Sequence, residues 1–501
     1  MSFKCLRVGS MSQAYETSGL SRLSQILKLE LQASQDVLPR LISTGIHSVK
    51  KAQYRKRVIQ GLRGQSVERW SRYAAIEKKC RMYFAAEGSD DMKKLFEDTI
   101  GQLSFQHNLL KQLNFMPYVL LFLSVFKIWL VPAMALLSPL FMIVMPYILI
   151  RYVYTVPMTI GSYVTLMKKL WFSNLKDIKN FGQVIFFVVS FVQGIVQPIQ
   201  NAMHCRRTDT VICEVGDTVL ELRDHLEDLR ADFQRFGISY SVPTTLRDLT
   251  EKRHAFFFVH ENKSVLPDIW RRLGELEILW KLAQNPEFHE ISFTQSQTPV
   301  LHIPHLRDLG IPKDLVTLSS VYFSANSAHA LLTGPNGGGK SSALRGILQT
   351  VLLAQTFGVA ASSGVVLSPF SWISTGLQLR DEPGAKSLFE TEVRFAVKVL
   401  GRKRGLGLVL YDEIFHSTNP PDCAHTASVF LNQLWAKPNV LSLVSTHVFE
   451  IVKAAPPQIQ RLCVSGIIKD KTLVCDYRLK EGVCTVSSVD TILRREGLLR
   501  G

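Results

Sequence analysis

The 501-residue sequence has no C-x-x-C pair. Its eight cysteines, Cys5, Cys80, Cys205, Cys213, Cys423, Cys463, Cys475 and Cys484, are scattered. That spacing argues against a zinc site or a disulfide framework and for reduced thiols in a cytosolic setting. No cleavable secretory signal is visible, because the first long apolar stretch begins past residue 110. Charge is nearly missing from residues 112–167, where only Lys127 and Arg151 carry any. Disorder is excluded by composition, with 47% hydrophobic and 20% charged residues.

The segments MPYVLLFLSVF and IWLVPAMALLSPLFMIVMPYILI flank Lys127. They reach the roughly 20 apolar residues that a membrane span needs. Pro132, Pro139 and Pro146 suit kinked membrane helices better than one straight soluble helix. A second stretch, Asn180 to Cys205, is uncharged for 26 residues. These features predict transmembrane helices over 112–205, as a hairpin in 114–165 or one span in each stretch. The bland alternative is a pair of buried helices in a large soluble core. If the basic N-terminal region and the ATPase both face the cytosol, the number of spans must be even.

Positive charge is in excess, +16 overall, and it is uneven. Residues 1–110 hold 18 Lys and Arg against 10 Asp and Glu. Between Arg40 and Arg81 there are 12 basic residues and only two acidic ones, Glu68 and Glu77. Such a run suits a polyanion, either nucleic acid or an anionic membrane face, or else a solvated helix surface. After the apolar zone, Thr218 and Glu221 have capping-box spacing and predict a helix from Asp217 to Phe233. Val219, Leu222, Leu226, Leu229 and Phe233 would be its packing seam. A second helix is expected from about Pro267 to Gln284, followed by short strands in SFTQSQ, PVLHI and LVTLSSVYF.

Residues 330–342 read ALLTGPNGGGKSS, a complete phosphate-loop pattern between an apolar strand and a helix. Glycines let backbone amides turn onto phosphates, and the helix N-terminus favours the anion. The candidate contacts are Gly334, Pro335, Asn336, Gly337, Gly338, Gly339, Lys340, Ser341 and Ser342. Lys340 would meet the β and γ phosphates of ATP, and Ser341 would ligate Mg²⁺. A buried strand, LGLVLYDE, ends in Asp412, placed to support the metal, and Glu413, placed to activate water. A third strand ends in Thr446-His447, where the histidine would sense the γ phosphate.

From about Leu273 onward the chain resembles the ATPase domain of the MutS family of DNA mismatch repair proteins. TGPNGGGKSS resembles the family's TGPN-x-x-GKST, and LLAQTFGVAASSG resembles a stretch ending in a V-P-A turn, here without the proline. KSLFETE resembles R-S-T-F-M-x-E, which implies that Ser387 reaches a neighbouring subunit's nucleotide. YDEIFHSTNPPDC is similar to D-E-I-G-R-G-T-S-T-x-D-G, with Asp412, Glu413, Thr418 and Asp422 in place and Phe415, Ser417 and Cys423 where the family has glycine. STHVFE resembles the A-T-H-Y-x-E box, and the tail from Tyr477 resembles the family's closing helix segment, with Tyr477 as a candidate adenine-stacking residue. The family's Phe-x-Glu mismatch wedge is missing, as is the aromatic before its I-P-N-D-like turn, where Leu309-Gly310 stand.

The implied architecture is an α/β P-loop NTPase domain of the ABC/MutS type, preceded by an all-α region with transmembrane helices. The segments are a basic helical 1–110, an apolar 112–205, a helical lever or clamp remnant 206–290 and the ATPase 291–501. Three functions follow. The first is a membrane-anchored, multi-pass, mismatch-repair-like ATPase acting on DNA, with the ATPase facing the cytosol. The second is a MutS-like switch for assembly or remodelling at a membrane without DNA. The third is an ABC-type transporter ATPase, disfavoured because no L-S-G-G-Q-like segment exists and only 72 positions separate Lys340 from Asp412. The expected partners are ATP, a second copy of the chain through the ATPase domain, DNA and membrane lipid.

Overall fold

The computed structural model describes residues 13–45, 48–65, 70–84, 100–105, 107, 109–172, 178–379, 387–417, 419–469, 472–486, 493 and 498. It divides into two compact units. One holds residues up to 71, 233–240 and 270–501; the other holds 72–232 and 241–269. The break at 71 does not coincide with the compositional break near 110.

A six-stranded sheet organises the first unit. Its strands are β1 (His329–Thr333), β2 (Trp372–Gly376), β3 (Gly407–Tyr411), β4 (Val440–Ser445), β5 (Gln460–Lys469) and β6 (Thr472–Glu481). Their spatial order is β6-β5-β1-β4-β3-β2. All pairs are parallel except β5 with β6. β1 to β4 are buried along their whole length, as continuous apolar runs covered on both faces must be. The strands expected in SFTQSQ, PVLHI and LVTLSSVYF are Ser292–Phe293, Leu301–Leu306 and Ser319–Phe323, joined with Val366–Leu367 in a separate four-stranded sheet.

Helix Lys340–Phe357 follows the phosphate loop and is almost wholly buried. The N-terminal helices Gln32–Gly45 and Val49–Leu62 pack on it. Their basic side chains are partly used inside the unit. Arg55 pairs with Glu275 at 2.8 Å and donates to Thr356 O at 3.1 Å. Lys56 donates to Ile291 O at 2.8 Å and Arg63 to Phe288 O at 2.9 Å. Glu277, fully buried, accepts from the Glu30 and Leu31 amides and from Ser34 Oγ, so it caps the Gln32–Gly45 helix. Burial raises its pKa, and those three donors oppose the shift.

The second unit is helical among its described residues. Its core gathers Ile100, Leu103, Leu120, Cys205, Ile212, Val215, Phe256 and Phe257. Arg253 meets both oxygens of Asp209 at 2.9 Å, and Ser124 donates to Asp209 at 3.0 Å. Such a partly buried pair is tolerable because each oxygen is hydrogen-bonded. From Pro117 the chain is helical to Val153, with π turns at Phe126–Leu130 and Leu149–Val153. The first π turn contains the carbonyl of Ile128, which Pro132 cannot bond. Phe122, Trp129, Met134, Leu140 and Phe141 are each at least 60% exposed. Among the described residues one helix, Pro117–Phe141, is long and apolar enough to cross a membrane, with a mean hydropathy of 2.2. The next helix, Ile160–Phe172, meets the end of this run through Tyr163, whose hydroxyl donates to Ile143 O at 2.5 Å.

Two local expectations are corrected. Thr218 starts no helix, for it lies inside the helix Ile178–Arg235, with its hydroxyl donating to Glu214 O at 2.9 Å. A Thr inside a helix can donate backwards to the carbonyl four residues before it instead of capping. The seam Val219, Leu222, Leu226, Leu229 and Phe233 is nonetheless buried. The tail from Tyr477 opens as strand through Glu481 rather than helix; Thr418 and most of the tail beyond residue 486 lie outside the described residues. The helix expected from about Pro267 to Gln284 is present as Val265–Gln284.

Candidate nucleotide site

β1, β4 and β3 are adjacent and parallel, so their C-terminal ends bring three distant segments together. β1 delivers the phosphate loop, β4 delivers His447 and β3 delivers Asp412 and Glu413. Lys340 folds back into its own loop, donating to Gly334 O at 3.0 Å and Pro335 O at 3.2 Å. Its ammonium also lies 3.2 Å from His447 Nε2. Burial lowers the Lys340 pKa, with Glu413 and Asp412 pulling it back up.

Ser341 Oγ donates to Asp412 Oδ2 at 2.5 Å. Ser445 Oγ donates to Asp412 Oδ1 at 2.6 Å and accepts from the Glu413 amide at 2.8 Å. His447 Nε2 is 3.3 Å from Glu413 Oε1, and this bond chiefly holds the Glu413 carboxyl below its usual range. Ser341 and Asp412 are hard oxygen donors at hydrogen-bond distance, a set that suits magnesium. Among the described residues no cluster of three or more His, Cys, Asp or Glu forms a protein-only metal cage. Magnesium at phosphate sites takes phosphate oxygens and water for the rest of its shell.

A cavity of about 420 Å³ opens beside the loop. Pro335, Asn336, Gly337, Gly339, Lys340, Ser341 and Ser342 line one side with Glu413. Gly334 and Gly338 shape the loop from behind, Gly338 donating to Pro335 O at 3.1 Å. A second wall comes from within residues 306–319, with Arg307, Asp308, Ile311, Leu315, Val316 and Thr317 among its lining residues. Sequence reading missed this wall and missed Ser445, although Ser445 stands in the STHVFE segment. Tyr477 also lines the cavity. It sits where β6 bulges against β5, with a left-handed φ of 55°. The bulge aims its ring at the loop, 3.4 Å from where a Cβ on Gly339 would stand.

Ser387 does not line this cavity. It caps helix Leu388–Leu400, accepting from the Glu390 amide at 3.3 Å. From that helix the fully buried Glu392 reaches the acidic loop, accepting from Ser417 Oγ and lying 3.2 Å from His416 Nδ1. Asp422 stands in the first turn of helix Pro420–Trp435. All seven described cysteines are free.

Residues 330–492 match the family model for MutS domain V. Over that stretch the chain resembles the MutS family. It is 26% identical over 286 residues to the DNA mismatch repair protein MutS of Leuconostoc mesenteroides, covering 55% of this chain and 32% of that one. It is 28% identical over 211 residues to MutS of Treponema pallidum, covering 42% and 23%. MutS of Lactobacillus delbrueckii is 24% identical over 290 residues, again 55% and 32%. The match thus spans a third or less of each of these curated relatives. The matched stretch holds the phosphate loop, Asp412, Glu413, His447 and Tyr477, whereas the 306–319 wall lies before it.

Proposed function

We propose that the chain binds and hydrolyses ATP with Mg²⁺ as a mismatch-repair-like MutS protein, acting on DNA while anchored in a membrane. The observation that carries the hydrolytic reading is the convergence of Lys340, Ser341, Asp412, Glu413 and His447 at three adjacent strand ends. Lys340 and the loop amides would hold the phosphates, and Ser341 with Asp412 would hold the metal. Bound magnesium would neutralise charge developing on the phosphate oxygens. Glu413, kept ionised by His447, would orient the attacking water and take its proton. Ser387, outside its own cavity, would complete the site of a second copy in a head-to-tail pair.

Glu413→Ala is expected to keep nucleotide binding and lose turnover by about 100-fold or more. Lys340→Ala is expected to lose both. Fluorescent-nucleotide titration and phosphate release measure the two, and undiminished hydrolysis in Glu413→Ala would refute the assignment.

Membrane anchoring is supported by the exposed apolar helix Pro117–Phe141. Residues on both sides of it belong to one unit. A chain crossing a membrane between them would therefore cross an even number of times. A second reading, a nucleotide switch at a membrane without DNA, draws support from Arg55, Lys56 and Arg63, which spend their charge on internal partners. Duplex binding by the purified protein in nanodiscs across a salt series separates the two. ATP-responsive preference for mismatched or branched DNA at physiological salt supports the first; weak binding lost with salt on every substrate is counterion release and supports the second.

A further inference from the structure

Beneath the 306–319 wall, a buried network joins that wall to the N-terminal segment. Gln349, on the helix after the phosphate loop, is 2% exposed and does not line the cavity. Its Nε2 donates to Ser18 O at 2.7 Å and to Asp308 Oδ1 at 2.9 Å. Its Oε1 accepts from the Leu309 amide at 2.8 Å. Asp308, 4% exposed, also accepts from the Gly310 amide at 2.8 Å and from Arg345 Nε at 2.9 Å. Two further contacts bring the N-terminal segment in. Arg22 donates to Gly310 O at 3.4 Å, and the Thr17 and Thr375 hydroxyls lie 3.2 Å apart.

A buried glutamine needs partners wherever it sits. What distinguishes this one is what its bonds hold. Residues 308–310 are the root of the wall that faces the phosphate loop through Ile311, Leu315, Val316 and Thr317. Further along, Leu315 is 72% exposed and Leu318 47%, so no apolar core fixes the wall there. Lys313 pairs with Glu287 at 3.2 Å and Ser319 pairs with Leu306 at the far end, while the near end is placed by the root. The root, in turn, is tied to residues 17–22 by the side chains of Gln349 and Arg22.

We propose that residues 17–22 act as a strut that positions the nucleotide cavity's second wall, and that Gln349 is the positioning residue coupling strut to wall. This rests on the reading of the cavity as an ATP site. Coupling is reciprocal: if the strut favours the binding conformation, nucleotide must favour the docked strut.

The test uses the full chain in detergent, as wild type, Gln349→Leu and Arg22→Ala, with a fluorescent ATP analogue and backbone hydrogen exchange of residues 13–31. In the wild type, nucleotide is expected to slow exchange in that segment about fivefold or more. Gln349→Leu is expected to raise both the nucleotide Kd and the KM about tenfold with kcat near wild type, and to abolish the nucleotide-dependent protection. Arg22 is exposed, so Arg22→Ala keeps the fold and is expected to shift Kd about twofold in the same direction. It carries the test if Gln349→Leu fails to fold. Exchange of 13–31 that ignores bound nucleotide, or a Gln349→Leu protein that binds nucleotide as the wild type does, overturns the strut. A wild type that binds no nucleotide overturns the ATP reading instead, and the two failures are distinct.

Discussion

Two loops meet at the candidate site, and they hold left-handed backbone by opposite means. The phosphate loop uses glycine, with φ of 74° at Gly337 and 103° at Gly339. The acidic loop has φ of 52° at Glu413 and 51° at Phe415. Left-handed backbone costs a bulky residue about 1–3 kcal/mol. Phe415 offsets that by full burial, its ring packed among Phe389, Tyr411 and Phe430. Glu413 is pinned through its amide to Ser445 and through its carboxylate to His447. The difference follows from the tasks. A loop that presents bare amides to an anion has no room for packing, so only glycine serves. A loop that must hold a carboxylate still can be shaped by a buried ring, and here Phe415 stands where the family motif has glycine.

The comparison can be broken at the ring. Phe415→Ala is expected to cost about 3–5 kcal/mol in urea unfolding. Phe415→Gly should recover about 1 kcal/mol of that loss, because glycine accepts the left-handed backbone that alanine does not. If glycine proves no better than alanine there, packing and strain are not opposed at Phe415.

A somewhat smaller effect sits behind the loops. His329 opens β1, with Nδ1 2.8 Å from Ser442 Oγ on β4. Burial pushes its pKa down to about 4, only partly offset by a Lys437 backbone hydrogen bond. The unfolded chain takes up a proton near pH 6.5, so it binds more protons than the folded one between about 6.5 and 4. Stability should therefore fall as pH drops through that window, by roughly 3 kcal/mol in all. His329→Gln should flatten this slope in unfolding curves taken at pH 7 and pH 5.

The smallest expected change in stability is at the phosphate loop itself. Gly339→Ala introduces left-handed strain of about 1–3 kcal/mol and a Cβ 3.4 Å from Tyr477. Nucleotide affinity should fall by more than the melting temperature suggests, because the displaced amides are the ligands. Calorimetric titration beside thermal melting reads that split.

Much of this site was legible in sequence because its signals are local. A strand, a glycine loop and a helix follow one another at 329–357, and the acidic pair ends its own apolar strand. The second wall was not legible. It depends on Asp308, Gln349 and Ser18 meeting, and nothing in their spacing announces it. The same limit explains the basic N-terminal run. Arg55, Lys56 and Arg63 read as a charged surface until carbonyls at 288, 291 and 356 are seen to accept from them. The capping signal at Thr218 misled for the converse reason, since a local pattern recurs inside a helix that tertiary packing has lengthened.

The packing of the N-terminal helices on helix Lys340–Phe357 sets an order of events during translation. Those helices leave the ribosome long before their partner exists, and the apolar run from Pro117 emerges in between. At about 5–20 residues per second the delay is on the order of tens of seconds. Through that interval the two helices, whose Leu38, Ile42, Val58, Ile59 and Leu62 are buried in the finished fold, lack the helix they pack on. Until its last third arrives, the newborn chain therefore keeps that apolar surface open to solvent.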